Sequence, residues 1–518
     1  MLLNDYLDRG AVIDPDGECL ISPDGGVLMT HAQLREASHR IARGLLEAGI
    51  RPGDRVAVYA PNDPKALACL LGVIRAGAIW TAVNASSSVE DIAAFLELTE
   101  CRGLVYHAAL AEPANALAAQ LPAIEVVAAI GQGGDGHLSV ATWLDTAGDP
   151  VATQRTADDV AVLTGTGGTT GRPKAVPITH RQLLTMCLAF NAGLAEGRPP
   201  RYVCATPMTH AAGALTFPVI AEGGAVIVHN GVDPHAILDS IEWNRASRVF
   251  LPPTALYALM AQPDLAQRDF SSLRNFIVGA APIAPERLAE AVAIFGPVMA
   301  QAFGQTEAPM ICTLLTAAEI AEAADKPELR HRLAACGRPS LVAEVAIMGE
   351  DGQLLGPEES GEVVVRSDLV FGGYWNNEAA SEETRRPGGW HGTGDVGRRD
   401  RDGFIYIVDR LKDMIITGGF NVFPSEVEAV IHTLGFVNDC SVIGIPDEKW
   451  GEAVTAVIEP KPGEEVDAEA VLAACRDRLG PVKTPKSVIV RGLPRSANGK
   501  VLKRQLRDEY WPDTERRV

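Results

Sequence analysis

Apolar and polar positions along this chain follow two different periods. Over residues 31–49, Leu34, Ala37, Ile41, Leu45 and Leu46 recur at helical spacing, and a glycine closes the run. A short, wholly apolar stretch at 56–59 follows, then a helix-like run at 66–77 and a second apolar segment at 79–83. The rhythm returns around 160–163, 225–228, 248–251 and 276–278. Short apolar strands set between helices predict parallel sheets with helices on both faces.

From about Gly361 the texture becomes strand-like, as in Glu362-Val363-Val364-Val365 and Phe404-Ile405-Tyr406-Ile407. A smaller unit then predicts a helix at 424–434, strands at 441–445 and 454–458, a helix at 468–479 and a strand at 487–490. The expected fold is therefore α/β. A large N-terminal domain, 1–409, has parallel-rich sheets covered by helices plus a small β-rich subdomain. A smaller, mobile α+β cap, 410–518, completes it.

Composition narrows the picture. A length of 518 residues with 47% apolar content allows a large core and calls for more than one domain. A net charge of −20 argues against general affinity for nucleic acid or an anionic membrane. Any polyanionic ligand must be met by local cations and backbone amides. The nine cysteines are scattered without a CxxC pair, which points to reduced thiols in a cytoplasmic protein rather than a disulfide framework or zinc site. The opening MLLNDYLDRG lacks the basic flank and apolar run of a signal peptide. The apolar stretch 212–228 is broken by Pro218, Glu222 and Gly223-Gly224, so no membrane span is expected.

The most informative segment is Thr164-Gly165-Thr166-Gly167-Gly168-Thr169-Thr170-Gly171-Arg172-Pro173-Lys174. An apolar strand empties into glycines that let backbone N–H groups converge on an anion, hydroxyl donors and a lysine. No GxxxxGK[ST] string fits, which weighs against a P-loop NTPase or kinase. Further strings follow in order: Pro207-Met208-Thr209-His210; Gly279-Ala280-Ala281-Pro282; Ala302-Phe303-Gly304-Gln305-Thr306-Glu307; Thr393-Gly394-Asp395; Asp409-Arg410-Leu411-Lys412-Asp413; Gly418-Gly419-Phe420-Asn421; and Asn498-Gly499-Lys500. Taken singly, a histidine, a strand–Gly–helix turn or an exposed charge run is more often structural than functional.

The series as a whole resembles the adenylate-forming superfamily of acyl-CoA synthetases, luciferases and peptide-synthetase adenylation domains, in its acid–CoA ligase branch. The likeness runs from about residue 30 to 510. It implies that Thr166, Gly167, Gly168, Thr169, Thr170, Gly171 and Lys174 cradle the phosphates of ATP. Gly279, Ala280, Ala281, Ala302, Phe303, Gly304 and Thr306 would face adenine and phosphate; Phe303 replaces a commoner tyrosine, keeping the stacking face without its hydroxyl. Glu307, with Thr166, would hold Mg²⁺. Asp395 and Arg410 would contact the ribose, with Lys412 as the pivot between domains. Gly418 and Gly419 would admit the pantetheine arm of CoA, and Lys500 would reach the reacting phosphate. His210, Ala211, Ala212, Phe250 and Met310 match the acyl pocket.

The implied reaction has two halves. A carboxylate attacks the α-phosphate of ATP, and the CoA thiol then attacks the acyl-adenylate. The pocket positions are small or apolar and include no Lys or Arg, which favours an apolar alkyl or aryl monocarboxylic acid. Three other readings stay open: an enzyme that loads a carrier protein, a luciferase-like oxygenase, and a non-catalytic nucleotide-binding protein. No carrier domain is expected after Lys500, and a homodimer stays open.

Overall fold

The structure is a computed structural model describing residues 1–166, 174–495 and 501–511. The chain forms two compact units. One comprises Met1–Val345, Val365–Arg385 and Gly389–His391, and the other Ala346–Val364, Arg386–Gly388 and Gly392–Val518.

The first unit holds two large sheets. In the seven-stranded sheet the order is Leu138–Ser139, Val126–Ile130, Gly103–His107, Arg55–Tyr59, Ile79–Ala82, Val160–Thr166 and Lys174–Thr179, parallel except for the last pair. The nine-stranded sheet has a parallel centre: Met299–Phe303, Asn275–Val278, Arg248–Leu251, Arg201–Cys204 and Ala225–Val228. Apolar strands shielded on both faces by helices are what the wholly apolar segments predicted. The helix His31–Glu47 begins with a capping box, in which the Thr30 hydroxyl accepts from the Gln33 N–H. The helix Pro64–Arg75 starts on Asp63, whose carboxylate accepts from the N–H groups of Lys65 and Ala66. One apolar cluster runs from Val56, Trp80 and Val105 of the first sheet to Tyr202, Phe250 and Ala300 of the second, so both share a core.

The stretch 212–228 becomes two short helices, Ala211–Ala214 and Thr216–Ala221, and the strand Ala225–Val228. Among the described residues no helix is long and apolar enough to cross a membrane.

The β-rich part is a five-stranded sheet containing Ala343–Met348, Ser360–Ser367, Arg385–Arg386, Trp390–Arg399 and Ile405–Arg410. In the second unit, Val437–Asp447 and Gly451–Pro460 form a long antiparallel pair, joined by Ile415–Thr417, Phe420–Val422 and, in parallel, Ser487–Val490. The helix Pro424–Ile431 packs Val427, Val430 and Ile431 onto this sheet. The predicted strands at 441–445 and 454–458 run further at both ends, to Val437–Asp447 and Gly451–Pro460, because each finds a full-length partner in the other.

Candidate active site

Ligand sites of open α/β sheets form beyond the carboxyl ends of the strands, and several of the predicted residues that the structure describes follow such ends. Val160–Thr166 and Lys174–Thr179 pair antiparallel with Thr166 opposite Lys174, so these two residues of the Gly/Thr segment face one another. Gly167, Gly168, Thr169, Thr170 and Gly171 lie outside the described residues, as does Lys500.

In the nine-stranded sheet, Gly279, Ala280 and Ala281 follow the strand Asn275–Val278. A Cβ on Gly279 would stand 3.2 Å from both the Ala302 carbonyl oxygen and a ring carbon of Phe250, so these three positions lie against one another. Ala280 is held at φ 66° and Met310 at φ 63°, a left-handed conformation that costs a non-glycine residue of order 1–3 kcal/mol and clusters at functional sites.

Met299–Phe303 turns back antiparallel onto Thr313–Leu315, and the turn carries Gly304, Thr306 and Glu307. Gln305 N–H donates to the Ala308 carbonyl at 3.0 Å, and Cys312 N–H to the Phe303 carbonyl at 2.8 Å. Gly304 is required here: a Cβ would lie 2.5 Å from the Met310 backbone.

The two sheet ends are tied together by a segment that the sequence did not single out, Phe371-Gly372-Gly373-Tyr374-Trp375. Phe371 N–H donates to the Glu307 carbonyl at 2.8 Å, and Trp375 N–H to the Ala175 carbonyl at 2.9 Å. Between them, the Tyr374 hydroxyl donates to Glu307 Oε1 at 2.7 Å. The Lys174 ammonium sits over the Tyr374 ring, 4.8 Å from its centroid. Burial and the Glu307 carboxylate both push the Tyr374 hydroxyl pKa up, so the phenol stays protonated and keeps donating.

Of the acyl-pocket positions, Ala212 and Phe250 are buried in the shared core, and Ala211 and Met310 pack against it. His210 is exposed and stands just ahead of the short helix Ala211–Ala214 without bonding to it through its side chain. A second residue missed in the sequence, Asn62, pins this stretch. It accepts from Met208 N–H at 2.8 Å and donates to the carbonyls of Thr206 at 2.9 Å and His229 at 3.0 Å. Pro61-Asn62-Asp63-Pro64 signals a turn, but nothing in it names those distant partners.

In the second unit, Asp395 and Arg410 are cross-strand partners, their side chains 3.5 Å apart. Lys412 lies in the short turn Leu411–Asp413, where its carbonyl accepts from Arg507 at 3.2 Å. Asp409 accepts from the Ser425 N–H, in the first turn of the helix Pro424–Ile431, at 2.8 Å. Gly418 and Gly419 have φ 57° and 80°. A Cβ on Gly418 would come within 3.0 Å of the Trp450 ring, whereas one on Gly419 would meet open space.

Residues 7–375 match the family model described as AMP-binding enzyme, and residues 426–500 the AMP-binding enzyme C-terminal domain. The chain belongs to the AMP-binding enzyme family. Among relatives of this family, the medium/long-chain-fatty-acid–CoA ligase FadD8 of Mycobacterium tuberculosis is 38% identical over 510 residues, covering 95% of this chain and 88% of that one. A feruloyl-CoA synthase from Amycolatopsis sp is 36% identical, covering 94% and 95%. Among solved structures, the amide bond synthetase McbA from Marinactinospora thermotolerans superposes with a TM-score of 0.87 at 32% identity, covering 98% of this chain and 100% of that one.

Proposed function

We propose that this AMP-binding enzyme is an ATP-dependent acid–CoA ligase that makes an acyl-adenylate and then transfers the acyl group to CoA, acting on an apolar fatty or aromatic monocarboxylic acid. One observation carries the reading: Lys174 and Glu307, from the ends of different sheets, are drawn onto a single residue, Tyr374. A cation and a carboxylate held together where two sheets end suit a metal-bound polyphosphate. The full-length likeness to CoA ligases supports the acceptor.

In the first half-reaction the nucleophile is an ionised carboxylate, so no general base is needed. The protein's work is to collect anions and stabilise the charge that builds on them. Lys174 and the loop from Thr166 would take the phosphates, Asp395 and Arg410 the ribose, Phe303 the adenine face, and Lys500 the reacting phosphate. Among the described residues no three His, Cys, Asp or Glu side chains assemble that could hold a metal ion. Glu307, its carboxylate oriented by Tyr374, therefore fits a Mg²⁺ that takes most of its ligands from phosphate and water. Magnesium bound there would neutralise the triphosphate and improve pyrophosphate as a leaving group.

For the second half-reaction, a turn of the C-terminal domain about Lys412 would withdraw Lys500 and bring Gly418 and Gly419 to the acyl group. The absence of any Lys or Arg among Ala211, Ala212, Phe250 and Met310, and their place in the apolar core, supports an acid with an apolar tail. Both co-substrates are cytoplasmic metabolites, which supports a cytoplasmic location; a homodimer is compatible with this reading.

The test is a panel of fatty, aryl and dicarboxylic acids assayed for AMP release with CoA, with an amine, and with no acceptor. CoA-dependent release with an apolar monoacid is expected. Release stimulated by the amine and not by CoA would replace ligation by amide synthesis, the reaction that the name of McbA indicates. The best dicarboxylate outrunning every monoacid would overturn the pocket reading.

A further inference from the structure

We propose that Tyr374 is a positioning residue that sets the spacing between the two phosphate-facing groups, holding Glu307 with its hydroxyl and Lys174 with its ring. The inference rests on the reading that Lys174 and Glu307 face the ATP phosphates, and it adds what fixes their geometry.

The two groups come from chain segments more than 130 residues apart and from different sheets. Left alone, a lysine ammonium on a four-carbon stem and a glutamate at the tip of a turn would each sample several rotamers. In addition, their opposite charges would draw them into direct contact, neutralising both before a nucleotide arrived. Tyr374 contacts both. Its ring face presents negative charge to the ammonium, and its O–H presents a donor to the carboxylate. Each group thus receives a neutral partner of the right polarity from one and the same side chain.

Tyr374 is itself fixed. Its ring makes an edge contact with Phe371 at 4.9 Å between centroids, and its N–H donates to the Ser381 hydroxyl at 2.9 Å. The flanking Phe371 and Trp375 bond to the backbones of Glu307 and Ala175. The side-chain contacts are therefore backed by main-chain ones on both sides. A Tyr→Phe change keeps the ring and the packing and removes only the hydroxyl. The hydroxyl and ring roles can thus be separated by experiment.

Binding of Mn²⁺ with a non-hydrolysable ATP analogue, followed by electron paramagnetic resonance, reads the site without turnover. Tyr374→Phe should weaken Mn²⁺ nucleotide binding about ten- to a hundredfold, the usual worth of a hydrogen bond to a charged group. Tyr374→Leu should lose a further few-fold with the cation–π contact. In steady state, the half-saturating Mg²⁺ concentration and the KM for ATP should rise in Tyr374→Phe while KM for the acid stays put, a split that general loosening of the fold would not give. Wild-type Mn²⁺ and nucleotide affinity in Tyr374→Phe would overturn the proposal. Wild-type affinity in both Lys174→Met and Glu307→Gln would instead overturn the underlying assignment of the phosphate site.

Discussion

Arg248 meets Glu196 at 2.9 Å with both side chains fully shielded from solvent, whereas Arg410 stands 3.5 Å from Asp395 with 65% of its side chain exposed. The first pair is turned inward, although Glu196 Oε2 and one terminal nitrogen of Arg248 have no hydrogen-bond partner among the described residues. Arg248 also donates to the Leu194 carbonyl at 3.2 Å, and Glu196 accepts from the Asn275 amide at 3.2 Å. The second pair is open, because only Asp395 is buried, at 7% exposure, and most of the Arg410 side chain faces solvent. A buried charge is costly unless the protein pairs it, and this pair meets only part of that need. An exposed charge has bonding capacity left over, as the proposed ribose contact of Arg410 requires. The same contrast separates Asp409, which bonds the first turn of a helix, from its neighbour Arg410.

The sharpest way to break this comparison is to remove the buried cation. Arg248→Met would strand the Glu196 carboxylate in the core, at a cost of about 3–5 kcal/mol. Urea unfolding of the variant should show a correspondingly lower midpoint, and Arg248→Met combined with Glu196→Leu should recover part of the loss. A loss below about 1 kcal/mol in the single variant would mean that water reaches the pair, making it no different in kind from Arg410 and Asp395.

Arg410→Met tests the other half. Its unfolding midpoint should stay close to that of the parent, since an ion pair whose arginine is 65% exposed contributes at most about 1 kcal/mol. Its KM for ATP should rise about tenfold or more, the worth of one charge-assisted hydrogen bond to the nucleotide. A variant that loses stability and keeps its KM would place Arg410 among the structural arginines.

Legibility in the sequence divides along a related line. Elements that bury one kind of surface were readable, because apolar runs and capping residues act locally. Ala225–Val228, Arg248–Leu251 and Ser487–Val490 have the predicted bounds, and the helix from Ala468 is broken at Gly480, one residue past its expected end. The motif strings were readable too, since each is contiguous. What the sequence could not show was which motif meets which. Phe371-Gly372-Gly373-Tyr374-Trp375 reads as a glycine-rich turn, and its tie to Glu307 and Ala175 depends on how two sheets end side by side. Asn62 is hidden for the same reason. Arg248, one charge at the start of an apolar strand, gives no local sign of its burial, because its partner Glu196 lies 52 residues away in the chain.

A third effect, spread over several pH units, comes from polar groups committed to the scaffold in their neutral form. His39, His180 and His229 are buried, and burial is the main force pushing each of their pKa values down to about 4. Each ring is engaged: His39 Nδ1 accepts from Val151 N–H at 3.0 Å, His180 Nδ1 accepts from Leu3 N–H at 3.2 Å, and His229 Nε2 bonds the Ser240 hydroxyl at 2.9 Å. A proton on the accepting nitrogen of His39 or His180 would break its bond. In the unfolded chain the same rings titrate near 6.5. Between pH 6.5 and 4 the unfolded state therefore binds more protons than the folded one, and stability falls as pH is lowered through that window. Each histidine contributes at most about 1.4 kcal/mol per pH unit. The unfolding midpoint should drop across this range, and His229→Gln should flatten the slope by one histidine's share, whereas Arg410→Met should leave it unchanged. An identical slope in His229→Gln would mean that this ring takes up its proton in the folded state as readily as in water, and the commitment to a neutral form would fail at that residue.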